Sequence, residues 1–497
     1  MKRVASGILP AIAIDRTIAT PLHRQIYDAF RATVIRGELR PAQRVPSTRE
    51  LARELGISRF PVVNAYAQLL TEGYLKAQRG SGTVVSRSLP DRNLLVAASS
   101  RSPARGKTEP LLDASRTAKV PVPERPPWLR GRGAFRVGQI AEDEFPFKIW
   151  AKLTARSARN LTGSSLWYGD VMGHLPLREA IAGYLRTSRR LRCDASQVMI
   201  VSGSQQGLLL CGLVLLSAKT PVWVEEPGYG LARDALRISG CEMVPVPVDS
   251  EGLNVRRGIR ACPKAKAALV TPSHQFPLGM TMSLGRRLEL LNWASSTGAW
   301  IIEDDYDSEF RFESPPLASL QGLDVNGRVI YVGSFSKVLF PSLRIGYLVL
   351  PQALIDSFQA IRHTCDLSPP NVSQEVLKDF IVEGHFGRHL RRMRMLYASR
   401  RSALVQSLQQ EVGPDLKIFG DEAGLQLVVG LPPGTDDNKL SMQAAQRNLW
   451  LWPLSRTYLS KKPRTGFLLG FGGTPAEEIP GAVRTLAALI AGERKSS

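Results

Sequence analysis

The sequence predicts an α/β chain in two folded parts: a small helical unit closed by a hairpin, and a large domain around a mostly parallel sheet. Three observations carry this. Between residues 20 and 85, helical spacing and glycine stops give the order helix, short helix, helix, hairpin. From 134 to 497, short uninterrupted apolar runs alternate with helical patterns, as strands buried on both faces of a parallel sheet do. Between the two, residues 88–133 lose all apolar periodicity. A chain of 497 residues also exceeds what one core ordinarily serves, so two or more domains are expected.

The first helix is expected over 20–37. Pro21 falls at its start, Leu22, Ile26, Phe30 and Val34 recur on one face, and Gly37 ends it. Ser47-Thr48-Arg49-Glu50 reads as a capping box opening a short helix to about Leu55, stopped by Gly56. Ser58 is expected to cap a third helix with Val62, Val63, Tyr66, Leu69 and Leu70 inside and Gly73 at its end. Tyr74–Ala77 and Thr83–Val85 flank Gly80-Ser81-Gly82 as a strand–turn–strand hairpin. This order is a winged helix-turn-helix, whose third helix enters the major groove by its N-terminal end. Ser58, Arg59 and Phe60 stand there, and the Arg59 fork suits guanine O6 and N7. Arg44, Ser47 and Arg49 fall where the second helix crosses phosphates, and Arg79 with Gly80 forms the wing tip.

Charge agrees. Residues 1–87 carry 14 Lys+Arg against 6 Asp+Glu, and 88–133 carry 9 against 4. Residues 134–497 are nearly balanced at 42 against 34. A basic leading part on a large balanced one fits a nucleic-acid module joined to a metabolite-sized domain. The domains are therefore expected at 1–87 and 134–497. The intervening 88–133, rich in Ser, Pro and Arg, reads as a basic, semi-flexible linker that tethers passively or touches DNA phosphates. Five scattered cysteines without a CxxC pair point to a reducing cytoplasm and away from disulfides or zinc. No signal peptide, transmembrane run or metal site is expected.

In the second domain, the runs Val198–Val201, Val222–Val224, Ala267–Val270, Trp300–Ile302, Val329–Val332 and Leu348–Leu350 read as strands. Open α/β sheets bind ligands off the carboxyl ends of their strands, and the polar motifs follow those ends. After Val201, Ser202-Gly203-Ser204-Gln205-Gln206-Gly207 opens a helix, whose N-terminal N–H groups form an anion site. After Val224 comes Tyr229, able to stack on a planar ring. After Ile302, the EDDYD run offers a carboxylate for a pyridinium proton and, in Tyr306, a phenol for a ring oxygen. By itself that run reads as a solvated acidic turn or a magnesium site, and only its pairing with Lys337 changes that. After Val332, the run SFSKVLFPSLRIGY places Lys337 directly after the small hydroxyl residues Ser334 and Ser336, which with Arg344 are phosphate donors. A lysine so placed can form a Schiff base with an aldehyde. Aldehyde and phosphate together point to pyridoxal 5'-phosphate (PLP).

Two resemblances sharpen this. The stretch from PLHRQIYDAF to GSGTVV resembles the GntR family of bacterial repressors, in which Arg49, Arg59 and Arg79 match DNA-contacting positions. Phe60-Pro61 departs from it, standing where a small polar pair is usual. Residues 135–490 resemble fold type I aminotransferases in the branch fused to GntR domains, the MocR-like regulators. The resemblance runs through YGDVMGHLPLREAIAGYL, VSGSQQGL, VEEPGYG, TPSHQFPLG, IIEDDYDSEFRF and SFSKVLFPSLRIGY. It implies a small C-terminal subdomain, Lys337 as the Schiff-base lysine, and Tyr229 stacked on the ring. It also implies Asp304 at the pyridine nitrogen, Tyr306 at the ring hydroxyl, and Ser204, Gln205, Ser334, Ser336 and Arg344 on the phosphate. Chemistry alone does not separate Asp304 from Asp305; the spacing to Tyr306 in the relatives favours Asp304. Tyr168 would reach the partner subunit's phosphate, implying a homodimer with shared sites, and Arg456 would meet an effector carboxylate. Members that sense γ-aminobutyrate carry an arginine where this chain has Leu231, and Leu278 replaces a usual threonine; that effector is not expected. The resemblance thus implies a DNA-binding regulator of a double-stranded operator. It would sense an amino compound by external aldimine formation. The alternative is an active aminotransferase that also binds DNA.

Overall fold

The structure, a computed structural model, describes residues 12, 14–78, 82–87, 133–163, 167–312, 318–413 and 416–496. These form two compact units, one within 1–111 and one within 112–497. The expected wing-tip residues Arg79 and Gly80, and the stretch 88–132, lie outside the described residues.

In the first unit, α1 (Leu22–Ile35) buries Ile26, Phe30 and Val34, while Leu22 in its first turn is half-buried. Ahead of α2 (Thr48–Glu54) the capping box is complete: Ser47 Oγ accepts from Glu50 N at 3.3 Å, and Glu50 Oε2 accepts from Ser47 N at 2.8 Å. Helix α3 (Arg59–Thr71) differs from expectation in two ways. Ser58 takes the N-cap position without a side-chain capping bond. The core stripe is Val62, Ala65, Tyr66 and Leu69, with Val63 and Leu70 turned outward. The cause is the helical period, which groups 63 with 70, two turns on, and away from 62 and 69. β1 (Leu75–Gln78) and β2 (Gly82–Val85) pair antiparallel, and Gly82 opposes Gln78 as part of the strand.

The second unit is built on an eight-stranded sheet. Its strands are β3 (Val198–Val201), β4 (Pro221–Glu226), β5 (Glu242–Asp249), β6 (Gly252–Leu253), β7 (Ala267–Val270), β8 (Trp300–Asp305), β9 (Val329–Ser334) and β10 (Gly346–Val349), in the order β3-β10-β9-β8-β7-β4-β5-β6. Alternate side chains serve opposite cores: Val198 and Ile200 join one cluster, Met199 and Val201 the other. That explains the uninterrupted apolar runs. β5 gave no strand signal because Pro245 and Pro247 interrupt it. It survives next to the edge, where the two-residue β6 meets only Val248 and Asp249.

Strands β9, β8, β7, β4 and β5 run parallel. β10 is antiparallel to both its neighbours, β9 and β3, so β3 regains the common direction. The carboxyl ends of β3, β4, β7, β8 and β9 therefore share one edge with the start of β10. Gly346 at that start faces both Ser334 and Val201. A second sheet, β11 (Ile418–Phe419), β12 (Gln426–Gly430), β13 (Trp452–Pro453) and β14 (Gly466–Gly470), is antiparallel throughout and forms the C-terminal subdomain in the order β11-β12-β14-β13.

Candidate functional site

That shared edge collects the polar motifs. Lys337 follows β9 in the connection to β10, partly buried, and burial lowers its pKa against the pull of Asp307 and Asp304. Its Nζ lies against Gly138, where even a Cβ would come within 2.5 Å. Gly138, with φ +84°, was not legible as a site residue, because it lies far from Lys337 in the chain and in no motif.

At the end of β8 the two aspartates part company. Asp305 Oδ2 pairs with Arg189 Nη2 at 2.5 Å and accepts from the Tyr331 hydroxyl at 2.5 Å. Asp304 is equally buried, yet its Oδ1 has no hydrogen-bond partner among the described residues. Burial pushes its pKa up to about 7; the Asp305, Glu225 and Asp307 carboxylates add to the shift, and Lys337 opposes it. Tyr229 takes the N-cap position of the helix Gly230–Arg237 without a side-chain capping bond, its ring edge-on to Phe276 at 5.0 Å. Burial pushes its phenol up to about 12, with Asp304 adding. Tyr306 donates or accepts at His274 Nδ1 across 3.0 Å, and Asp307 holds the same nitrogen at 3.0 Å. Neither His274 nor Asp307 has a role legible in the sequence. Their link spans 33 positions and joins the ends of neighbouring strands β7 and β8.

The anion elements stand beside this group. Gly203, with φ +82°, is the N-cap of the helix Ser204–Leu215. A Cβ there would meet the Arg344 guanidinium at 2.9 Å. Arg344 Nη2 donates to Ser202 O at 2.5 Å, which ties the approach to β10 to the end of β3. Ser334 Oγ accepts from Ser336 N at 3.1 Å, and Gln205 Nε2 donates to Leu231 O at 2.8 Å. Arg456 sits in the 3-10 turn Leu454–Thr457, exposed, its Nε donating to Asn438 Oδ1 at 2.7 Å. The next residue, Thr457, accepts through its carbonyl from Gly228 N at 3.0 Å and Arg233 Nη2 at 2.8 Å, so this turn reaches the segment carrying Tyr229. Arg233 is buried in that junction, bonded also to Gly228 O at 2.9 Å. Tyr168 is 78 % exposed beside the equally open Trp167.

In the first unit, Arg44, Ser47, Arg49, Ser58, Arg59 and Phe60 are all exposed. Arg59 Nε donates to Thr48 Oγ1 at 3.1 Å, bracing the start of α3 on α2. Among the described residues, no helix is long and apolar enough to cross a membrane, and no cluster of His, Cys, Asp and Glu is placed to hold a metal.

The bacterial regulatory proteins, gntR family, match residues 22–85, and aminotransferase class I and II matches residues 135–468. The probable rhizopine catabolism regulatory protein MocR of Rhizobium meliloti is 38 % identical over 475 residues, covering 96 % of this chain and 95 % of that protein. The chain belongs to the MocR-like regulators of the GntR family. Its MocR-like architecture recurs in the pyridoxine biosynthesis transcriptional regulator PdxR of Corynebacterium glutamicum, 32 % identical over 93 % of this chain and 94 % of PdxR. The fold of its second unit is that of LysN, an α-aminoadipate aminotransferase of Thermus thermophilus solved with N-(5'-phosphopyridoxyl)-L-leucine. The TM-score is 0.71 at 27 % identity, over 77 % of this chain and 98 % of that one. A MocR-like chain is thus a transcriptional regulator built from a GntR helix-turn-helix and an aminotransferase domain, and GntR-family regulators bind DNA.

Proposed function

We propose that this MocR-like regulator binds PLP at the carboxyl edge of its large sheet, and that a small amino compound arriving there changes how its winged helices hold a double-stranded operator. The observation that carries the reading is the pair Lys337 and Asp304: an amine of lowered pKa, and a buried carboxylate oxygen without a partner, on the same edge. Buried polar atoms are ordinarily satisfied, so an open Asp304 Oδ1 fits a donor supplied by a ligand. LysN, with its phosphopyridoxyl ligand on the same fold, supports that choice.

When bound, PLP supplies an aldehyde that reacts reversibly with primary amines. In this reading Lys337 gives it an attachment point. Asp304 accepts the pyridine N–H, and Tyr306, oriented by His274, faces the ring hydroxyl. Tyr229 covers one ring face. Ser204, Gln205, Ser334, Ser336 and Arg344 hold the phosphate, with Tyr168 reaching the phosphate of a partner subunit in a homodimer. Arg456 meets a carboxylate on the effector. Arg44, Ser47, Arg49, Ser58, Arg59 and Phe60 face DNA, with Arg79 and Gly80 at the wing. Differential affinity of the amine for two arrangements of the chain is what such a switch requires.

The test loads the full-length chain with PLP, reduces it with borohydride and maps the peptides. A phosphopyridoxyl group on Lys337, and no visible cofactor band in Lys337→Ala, are expected. A persisting band, or a label elsewhere, overturns the assignment. A second reading, an aminotransferase that also binds DNA, is favoured by the fold shared with LysN, itself an aminotransferase. Sustained release of keto acid from an amino acid would establish it, and a single stoichiometric conversion would not.

A further inference from the structure

Helix α3 is apolar on two sides. One side is the core stripe. The other carries Phe60, Val63, Ala67 and Leu70, spaced along one outward stripe and all exposed, Phe60 by 72 %. A helix apolar on both sides is ordinarily covered on both, and within this unit α3 covers one. The uncovered stripe begins at the N-terminal end of α3, where the exposed Arg59 is bonded to Thr48, next in the chain to the exposed Arg49. That is the end which a helix-turn-helix turns to DNA. An apolar strip starting beside arginines there matches the major groove, where phosphates rim the floor and the one apolar feature of the floor is the thymine 5-methyl group.

We infer that Phe60 reads a thymine methyl next to the guanine faced by Arg59, with Val63 and Ala67 extending the apolar contact along the groove. The inference rests on the DNA-binding reading above and adds a specificity to it. Arg59, held by Thr48 at 3.1 Å, fixes the start of α3, and Phe60 is the next side chain along. A phenyl ring makes no hydrogen bond to a base edge, so it discriminates by contact with the methyl.

The experiment selects duplexes from a random library with the full-length chain, then replaces each thymine of the selected sequence singly by uracil, which lacks only that methyl. A thymine within about two base pairs of the guanine lost in Arg59→Ala is expected in each half-site. Uracil there weakens binding about fourfold, the worth of one buried methyl. Phe60→Ser, which has no methyl to touch the base, binds the thymine and uracil duplexes equally, with an unchanged salt slope, since no phosphate contact is lost. Phe60 is exposed, so that variant keeps its core. Wild-type binding indifferent to uracil at every position overturns the inference and leaves DNA binding intact. Uracil sensitivity retained in Phe60→Ser overturns it as well. If Phe60→Ser changes the association state and not the selected sequence, the stripe is a contact between copies and the inference falls. A selection that enriches nothing removes the DNA reading and this inference with it.

Discussion

Arg189 Nη2 stands 2.5 Å from Asp305 Oδ2, both side chains almost wholly buried. With Tyr331 on the same oxygen, Asp305 is committed to the core and Asp304 is the neighbour with an open oxygen. Asp305→Asn strands a buried guanidinium and is expected to cost about 3–5 kcal/mol, read as a lowered urea midpoint. Asp304→Asn is expected to spare the fold and weaken PLP binding about ten- to a hundredfold, the worth of a charged hydrogen bond. A titration of PLP absorbance measures it. If the two variants exchange these phenotypes, the assignment of Asp304 fails.

The pH dependence of stability follows from the same carboxylate. The folded pKa of Asp304 is raised from 3.8 to about 7, chiefly by burial. The folded state therefore binds this proton more tightly than the unfolded state. Its contribution to stability is intact below pH 3.8 and is lost as pH rises towards about 7. Without cofactor, the wild type should lose up to about 4 kcal/mol relative to Asp304→Asn across that window. Glu225 and Glu303, also pushed up to about 7 by burial, keep a residual slope in the variant. PLP, by offering a pyridinium proton, should shrink the difference. Urea unfolding at stepped pH checks it.

Two arginines near the C-terminal subdomain should behave differently. Arg233→Ala removes bonds to Gly228 and Thr457 from a buried junction. It is expected to destabilise by about 2–3 kcal/mol, seen in thermal melting. Arg456→Ala, at an exposed turn, should leave melting unchanged and weaken the response to carboxylated amines at least tenfold relative to amines lacking the carboxylate. An equal loss for both classes would remove Arg456 from effector recognition.

On the DNA side, Arg49→Ala should reduce the slope of log affinity against log salt by about one and weaken all duplexes alike. Arg59→Ala should relax the preference at one guanine. Binding measured across a salt series on selected and scrambled duplexes separates the two.

The strands were legible because each is buried on both faces and reads as an apolar run. The motif residues were legible because they follow those runs directly. What escaped was set by distance along the chain. The commitment of Asp305 depends on Arg189, 116 positions away. The support of Tyr306 by His274, and the room that Gly138 leaves for Lys337, are likewise contacts between distant segments with no local pattern. Within α3 the apolar residues were too many for their spacing to say which ones face the core, and Val63 and Leu70 were placed inside for that reason.

The reversal of β10 has a mechanical consequence for Lys337. Ser334 opposes Gly346, and Phe335 N donates to Ile345 O at 3.2 Å, so the segment between them is a short span anchored at both abutments. Surface loops commonly absorb added residues, and the exposed Pro341 and Ser342 give the far end of this span room for them; the near end, where Phe335, Val338 and Leu339 are buried, has none. One extra residue between Ser334 and Lys337 would either bow Lys337 away from Gly138 or slip the strand register, and a slip turns every side chain of the strand to the opposite face. The length of that stretch is therefore as much a part of the site as the residues it carries.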